Sequence, residues 1–91
     1  MEWEAESHVG VLGIIVQKQY RDVGLGKILI DMAVAEDAAR GKKKITLTTF
    51  STNIAGLALY QRCGFTIAGR YTKQYKMKDE YIDEILMEKW I

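Results

Sequence analysis

The sequence predicts an α/β fold in which the elements follow one another as β-α-β-α-β-β around a mixed sheet. Three observations lead to this class. An apolar run over 9–16, interrupted only by two glycines, predicts a strand covered on both faces. A helical pattern and then a β-branched run follow it, which is the order of a right-handed crossover between parallel strands. Two more strand-like stretches near the end predict a closing antiparallel hairpin.

The two predicted helices are bounded by capping residues. Apolar residues at three- and four-residue steps predict the first helix over Leu25–Arg40, and Gly41 is expected to end it. The tripeptide Ser51–Asn53 consists of residues that favour a helix start. A shorter second helix is therefore predicted from Ile54 to about Cys63, where another glycine follows.

Four stretches have the composition of strands. The first is Val9–Val16, and the second is the β-branched run Ile45–Phe50. The third strand is predicted over Phe65–Ala68 and the fourth over Glu80–Trp90. Between these last two lies Gly69–Asp79, a polar stretch that contains Tyr71 and Tyr75.

Length and composition predict one small domain over residues 1–91. The formal net charge of +1 predicts no general attraction to nucleic acid or to an anionic membrane. No apolar run reaches the about 18 residues that a membrane span needs, and the acidic start does not resemble a signal peptide. Cys63 is the single cysteine and cannot form an internal disulfide, so a cytoplasmic location is expected.

The turn between the first strand and the first helix has the composition of an anion site. It reads Arg21-x-x-Gly24-x-Gly26, and glycines let an anion approach the free N–H groups of a helix start. Arg21 can add a charged fork. A Walker loop does not fit, since arginine occupies the position of its first glycine and isoleucine follows the lysine. A dinucleotide fingerprint lacks its third glycine, and a plain turn stays open on this motif alone.

A second motif, Asn53-x6-Tyr60-x3-Gly64-Phe65, lies downstream of the glycine turn. Together with the closing strand, the two motifs resemble the GCN5-related N-acetyltransferase (GNAT) family over Val9–Trp90. The resemblance is to the family's C-terminal half, and the strands and helices that precede this half in full-length members are expected to be missing. It implies an acetyl-CoA ligand and a parallel strand pair that splays to admit it.

The resemblance also implies a role for each matching residue. Backbone groups of Ile14, Ile15 and Val16 would pair with the pantetheine amides where the first two strands splay. Asn53 would hydrogen-bond the pantetheine arm, and Tyr60 would protonate the leaving thiolate. The diphosphate would lie on the backbone amides of Arg21, Asp22, Val23, Gly24, Leu25 and Gly26.

Several assignments keep an alternative. Asn53 is fully explained by a helix N-cap, and Tyr60 by packing in the core. The tyrosines of the hairpin region could line an acceptor groove or face a partner chain; they are Tyr71, Tyr75 and Tyr81. Many family members carry a glutamate on the second strand as a base, but this sequence has Thr46, Thr48 and Thr49. Water or a carboxylate from Glu4, Glu6 or Glu84 stays open for that role.

Two functions are compatible with these motifs. The first is an acetyl-CoA-dependent N-acetyltransferase in which a primary amine attacks the thioester directly. The second is a non-catalytic CoA-binding or assembly module that lacks the acceptor-binding half. The strand at Val9–Val16 has an apolar edge without a sequence neighbour on one side, so a homodimer through this edge, or by exchange of elements, is expected.

Overall fold

The computed structural model describes residues 8–11 and 25–91 of the chain. Its strands form one sheet in the order β1-β2-β4-β3, in which β1 and β2 are parallel and the other neighbours are antiparallel. The predicted α/β class, the crossover and the closing hairpin are therefore confirmed. In chain order the elements are β1 (Val9–Val11), α1 (Leu25–Ala39), β2 (Lys44–Phe50), α2 (Ile54–Arg62), β3 (Thr66–Met77) and β4 (Glu80–Trp90).

Both helices end in the same glycine motif, as the sequence predicted. After α1, the amide of Gly41 donates to the carbonyl of Ala38 and that of Lys42 to Asp37, both at 3.0 Å. This is the Schellman pattern, which needs a residue with positive φ, and Gly41 has φ +85°. Gly64 has φ +92° and ends α2 in the same way. Local chemistry alone therefore places both helix ends.

The core lies on the face of the sheet that carries the two helices. It combines side chains from α1, β2, α2 and β4, and they pack as one cluster. Phe65, which follows α2, is among the most deeply buried of them. The other members are Ile30, Val34, Ile45, Leu47, Tyr60, Cys63, Ile85 and Met87.

Alternation along the strands assigns the remaining side chains to the opposite face, which we call the second face. On β2 this face carries Thr46, Thr48 and Phe50, because Ile45 and Leu47 lie in the core. On β4 it carries Ile82, Glu84, Leu86 and Glu88 by the same reasoning. Within the described residues no helix covers this face.

The third strand is longer than the sequence predicted. It runs over Thr66–Met77, so it continues beyond the predicted end at Ala68 into the polar stretch and pairs with β4. The strand lies at the sheet edge, and nearly all of its side chains are exposed. Alternation of polar and apolar residues appears only when one face of a strand is buried, so this edge strand carried no such signal.

Pairing along β3 is interrupted in the middle by a bulge. Between Tyr71 and Tyr75 the strand advances four residues while β4 advances two, from Glu84 to Ile82. Lys73 lies inside the bulge with φ +52°, and its amide donates to Oδ1 of Asp83 at 2.7 Å. Because the extra residues interrupt the regular pairing, the bulge decides which β3 side chains reach β4.

Candidate functional site

The structure describes some of the predicted cofactor residues and not others. Leu25, Gly26, Asn53 and Tyr60 lie in the described part, although only the backbone of Leu25 is described. The others lie outside the described residues, namely Ile14, Ile15, Val16, Arg21, Asp22, Val23 and Gly24. The predicted pantetheine strand and most of the predicted diphosphate turn therefore stay predictions.

The start of α1 has the electrostatics of an anion site. Leu25 begins the described helix, and Gly26 is buried beside it. The first turn holds no acidic residue, so nothing there opposes the partial positive charge of the helix end. Lys27 is paired at 2.6 Å with Asp31, one turn on, and this hydrogen bond raises the pKa of the lysine. The acid-free first turn is compatible with the diphosphate site predicted at this helix start, although Lys27 is already paired with Asp31.

Asn53 is the N-cap of α2, as the sequence allowed. Its Oδ1 accepts from the amide of Gly56 at 3.1 Å, and its Nδ2 donates to Oγ1 of Thr49 at 3.0 Å. A carboxamide has two N–H groups and two lone pairs, so one donor and one acceptor site remain for a ligand. Capping and the predicted contact with pantetheine are therefore compatible at the same side chain.

Gly56 is one of the unspecified positions of the second motif and was not predicted to have a role. A Cβ at this position would lie 2.2 Å from Nδ2 of Asn53, which is closer than atoms approach one another. Glycine is therefore what allows the Asn53 carboxamide to lie over the first turn of α2. The available signal was the three-residue spacing from an N-cap to a glycine in a helix, where alanine would otherwise be preferred.

Tyr60 lies in the core and is 6 % exposed. Its ring meets the edge of the Phe65 ring, with centroids 6.3 Å apart. The amide of Phe65 donates to the carbonyl of Tyr60 at 3.0 Å, so the two rings meet as part of the Schellman motif that ends α2. The geometry of the helix end thus sets the position of the tyrosine predicted to donate the proton.

Cys63 lies at the same helix end and is 4 % exposed. Burial raises the pKa of its thiol, and the negative charge of Asp31 adds to this effect. Its carbonyl accepts a hydrogen bond from Nζ of Lys89 at 2.6 Å. The thiol is therefore kept neutral and packs as an apolar group in the core.

One of the candidate carboxylates, Glu84, is held on the second face. The hydroxyl of Tyr75 donates to its Oε2 at 2.5 Å, and this hydrogen bond raises the pKa of the tyrosine. The Tyr75 ring also meets Phe50 at its edge, with centroids 5.0 Å apart. Tyr75 reaches both groups because of the bulge in β3, which local patterns in the sequence did not show.

A shallow hollow lies between the β3–β4 turn and the segment that leads into α2. Its lining is mixed in polarity and consists of Thr52, Met77, Lys78, Asp79, Glu80 and Ile82. In the described ranges, no three His, Cys, Asp or Glu side chains are grouped so that they could hold a metal ion. None of the helices described there is long and apolar enough to cross a membrane.

Comparison with known proteins places these features in context. The model of the "Acetyltransferase (GNAT) family" matches residues 1–65. The [ribosomal protein bS18]-alanine N-acetyltransferase of Escherichia coli (strain K12) is 31% identical over 77 residues, which cover 85% of this chain and 52% of that protein.

Two solved structures extend the likeness to the fold. A GNAT-family acetyltransferase from Streptococcus pneumoniae superposes with a TM-score of 0.82 at 36% identity, over 92% of this chain and 51% of that one. An N-acetyltransferase from Staphylococcus aureus Mu50 superposes with a TM-score of 0.87 at 23% identity, over 99% of this chain and 55% of that one. The chain thus spans about half the length of these relatives.

Proposed function

This chain belongs to the GNAT acetyltransferase family, and we propose that it is an acetyl-CoA-dependent N-acetyltransferase that acts on a primary amine. The observation that carries the proposal is the family match over residues 1–65, which includes the glycine turn, Asn53 and Tyr60. The relative from E. coli is named as an N-acetyltransferase of a protein alanine, which supports an amine as the acceptor.

We assign the cofactor to the end of the first predicted strand, the glycine turn that follows it and the start of α1. Backbone groups of Ile14–Val16 would pair with the pantetheine amides, and the amides of Arg21–Gly26 would hold the diphosphate. The acid-free start of α1 and the remaining hydrogen-bonding sites of Asn53 support this placement. Acetyl-CoA, when bound, supplies an activated acetyl thioester.

The residues of the chain then have separate tasks in the transfer. The amine nitrogen forms a bond to the acetyl carbon as the carbon–sulfur bond breaks. Tyr60 would donate its hydroxyl proton at the departing sulfur, and a phenol with a pKa near 10 is suited to that donation. Strand amides beside the thioester would stabilise the negative charge on its oxygen. The proton lost by the amine would pass to solvent or to a carboxylate, and the Tyr60 phenolate would regain a proton from solvent before the next turnover.

A second function is supported by one observation of its own. Tyr60 is packed in the core, where it is 6 % exposed. A CoA-binding or assembly module without turnover would use this tyrosine for packing alone. Replacing Tyr60 with Phe separates the two functions, because the ring packing is kept while the proton donor is lost.

We further propose that residues 1–91 form one domain, that the chain lies in the cytoplasm, and that it works as a homodimer. The single, buried thiol supports a reducing compartment. β1 lies at the edge of the described sheet, and Val11 on it is 76% exposed, which supports pairing through this edge. Sedimentation of the chain at micromolar concentration should give twice the monomer mass, and a monodisperse monomer would contradict the dimer.

Calorimetric titration with acetyl-CoA tests the proposed function. We expect micromolar binding that weakens at least tenfold when Gly26 is replaced by Val, because a side chain would hold the phosphate away from the helix amides. Gly69→Val is the matched control, since a Cβ at Gly69 meets nothing within 4 Å. Absence of binding at millimolar acetyl-CoA would contradict the proposal.

Turnover is tested with an amine panel that includes a peptide N-terminus and lysine. Tyr60→Phe should lower the rate of acetyl transfer while the affinity for acetyl-CoA stays within about twofold, because proton donation contributes roughly 10²–10⁴-fold. Binding without any turnover in the wild-type chain would favour the module.

A further inference from the structure

Glu84 is a carboxylate on the second face to which the described part of the chain offers no cation. Its side chain is half-buried, and the contact that holds it is the neutral hydroxyl of Tyr75. The ion pairs formed within the described residues use other carboxylates, which are those of Asp31, Glu36, Asp83 and Glu88. A carboxylate partly withdrawn from water is stabilised by a nearby positive charge.

The basic side chains of β3 contact groups other than Glu84. Arg70 pairs with Asp83 at 3.2 Å. Lys73 and Lys76 lie over the ring of Tyr81, at 5.4 and 5.8 Å from its centroid. The three basic side chains of β3 are therefore engaged away from Glu84, and the contact that β3 makes with its carboxylate is the neutral hydroxyl of Tyr75.

Aromatic rings flank Glu84 on both neighbouring strands. Phe50 lies opposite it in the register with β2, and Tyr71 lies opposite it in the register with β3. Residues directly opposite one another share a face of the sheet, so both side chains extend from the same face as Glu84. Phe50 is 38% exposed and Tyr71 is 53% exposed, which leaves ring surface available to a ligand.

The bulge in β3 brings the third ring into this group. Tyr75 lies four residues beyond Tyr71 yet still reaches Glu84, because β4 advances by only two residues over the same distance. The ring of Tyr75 packs edge-on against the ring of Phe50, so Tyr75 lies between Glu84 and Phe50 in its contacts. Phe50, Tyr71, Tyr75 and Glu84 form what we call the aromatic carboxylate site.

We propose that this aromatic carboxylate site binds the ammonium group of the acceptor before transfer, with Glu84 as counter-ion. A carboxylate and surrounding aromatic faces are the groups that attract an organic ammonium, the first by charge and the second by the ring quadrupole. Tyr75 is a positioning residue, since its hydroxyl holds the carboxylate and its ring supplies one wall. This inference rests on the proposed function and adds that the preferred acceptor is cationic.

Titration of the ¹³C- and ¹⁵N-labelled chain with n-butylammonium chloride tests the site without any need for turnover. We expect saturable shifts of the Phe50 and Tyr75 ring signals and of the Glu84 carboxyl, whereas n-butanol, of the same chain length, should cause none. Glu84→Gln should weaken ammonium binding about tenfold, the low end of what a hydrogen bond to a charged group contributes. Unchanged shifts in Glu84→Gln would overturn the proposal.

Two further variants make the result specific. Glu80→Gln removes an exposed carboxylate from the same strand and should leave binding unchanged; an equal loss in both variants would show only a general effect of charge and would overturn the site. Tyr75→Phe keeps the ring, so it should weaken binding by a smaller factor of about two to five.

The two proposals can fail separately. Acetyl transfer to amines by a chain that does not bind n-butylammonium would overturn the aromatic carboxylate site and leave the proposed function standing. Ammonium binding at Glu84 without acetyl-CoA binding would overturn the proposed function, and the aromatic carboxylate site would then be an ammonium site without a role in acetyl transfer. If both hold, Glu84→Gln should raise the KM for the amine about tenfold while the KM for acetyl-CoA is unchanged.

Discussion

Gly56 offers a sharp test of how α2 is held at the candidate cofactor site. In a helix interior, replacing glycine with alanine stabilises by about 0.8–1.0 kcal/mol. Here the new Cβ would lie 2.2 Å from Nδ2 and 2.8 Å from Oδ1 of Asn53, so the carboxamide must move away. Its hydrogen bonds to the Gly56 amide and to Thr49 are then lost.

The magnitude follows from these two bonds. Loss of an N-cap costs about 1 kcal/mol, and loss of the part-buried bond to Thr49 costs about 1 kcal/mol more. Subtracting the propensity gain leaves Gly56→Ala destabilised by about 1 kcal/mol. In the Asn53→Ala background there is no carboxamide to displace, so Gly56→Ala should stabilise by about 1 kcal/mol. The coupling between the two positions is therefore about 2 kcal/mol.

Urea unfolding of the four variants, followed by circular dichroism, measures this cycle. In thermal unfolding, 1 kcal/mol corresponds to a shift of about 4–8 °C for a domain of this size. Gly69→Ala is the control for the glycine-to-alanine change itself, because its Cβ meets nothing within 4 Å. Equal stabilisation by Gly56→Ala in both backgrounds would refute the capping geometry described for Asn53.

Three further predictions concern the core, the thiol and the bulge. Phe65→Ala should destabilise by about 3–5 kcal/mol in urea unfolding, and Phe65→Leu by clearly less, because the ring is 2% exposed; equal effects would contradict core packing. Burial raises the pKa of Cys63, so the stability it contributes is complete below the ordinary thiol pKa of about 8.5 and is lost as the pH rises through the raised value. The urea midpoint should therefore fall between pH 7 and 10 by more in the wild type than in Cys63→Ala, and identical falls would exclude this. Asp83→Ala should destabilise by about 1–2 kcal/mol and speed hydrogen exchange at the Lys73 amide, since Asp83 accepts from that amide; unchanged exchange would contradict its role in the bulge.

The helix ends and the Asn53 cap could be predicted because they depend on neighbours in the chain. A glycine that can adopt positive φ is enough for a Schellman motif, and both glycines predicted to end a helix have positive φ. The parallel pairing of β1 and β2 could also be predicted, because strands joined by a crossover helix are parallel. These features involve residues within a few positions of one another, or a general rule of chain connection.

The predicted length of β3 was wrong for a physical reason. An edge strand with both faces exposed needs no apolar alternation, so its residues have the composition of a loop. What makes it a strand is its pairing with β4, and that pairing resumes at Tyr75 after a bulge held by Asp83. Neither contact has a counterpart in the local pattern of residues.

For the site, the two motifs together predicted the family, and the family match over residues 1–65 confirms that part. The cofactor-binding residues that the resemblance implies stay predictions. The tertiary structure decided what surrounds them. It placed Tyr60 against Phe65 in the core, and it brought Tyr75 to Glu84 on the second face. Such contacts depend on strand register and on which face of the sheet the helices cover, and both are set by packing between segments far apart in sequence.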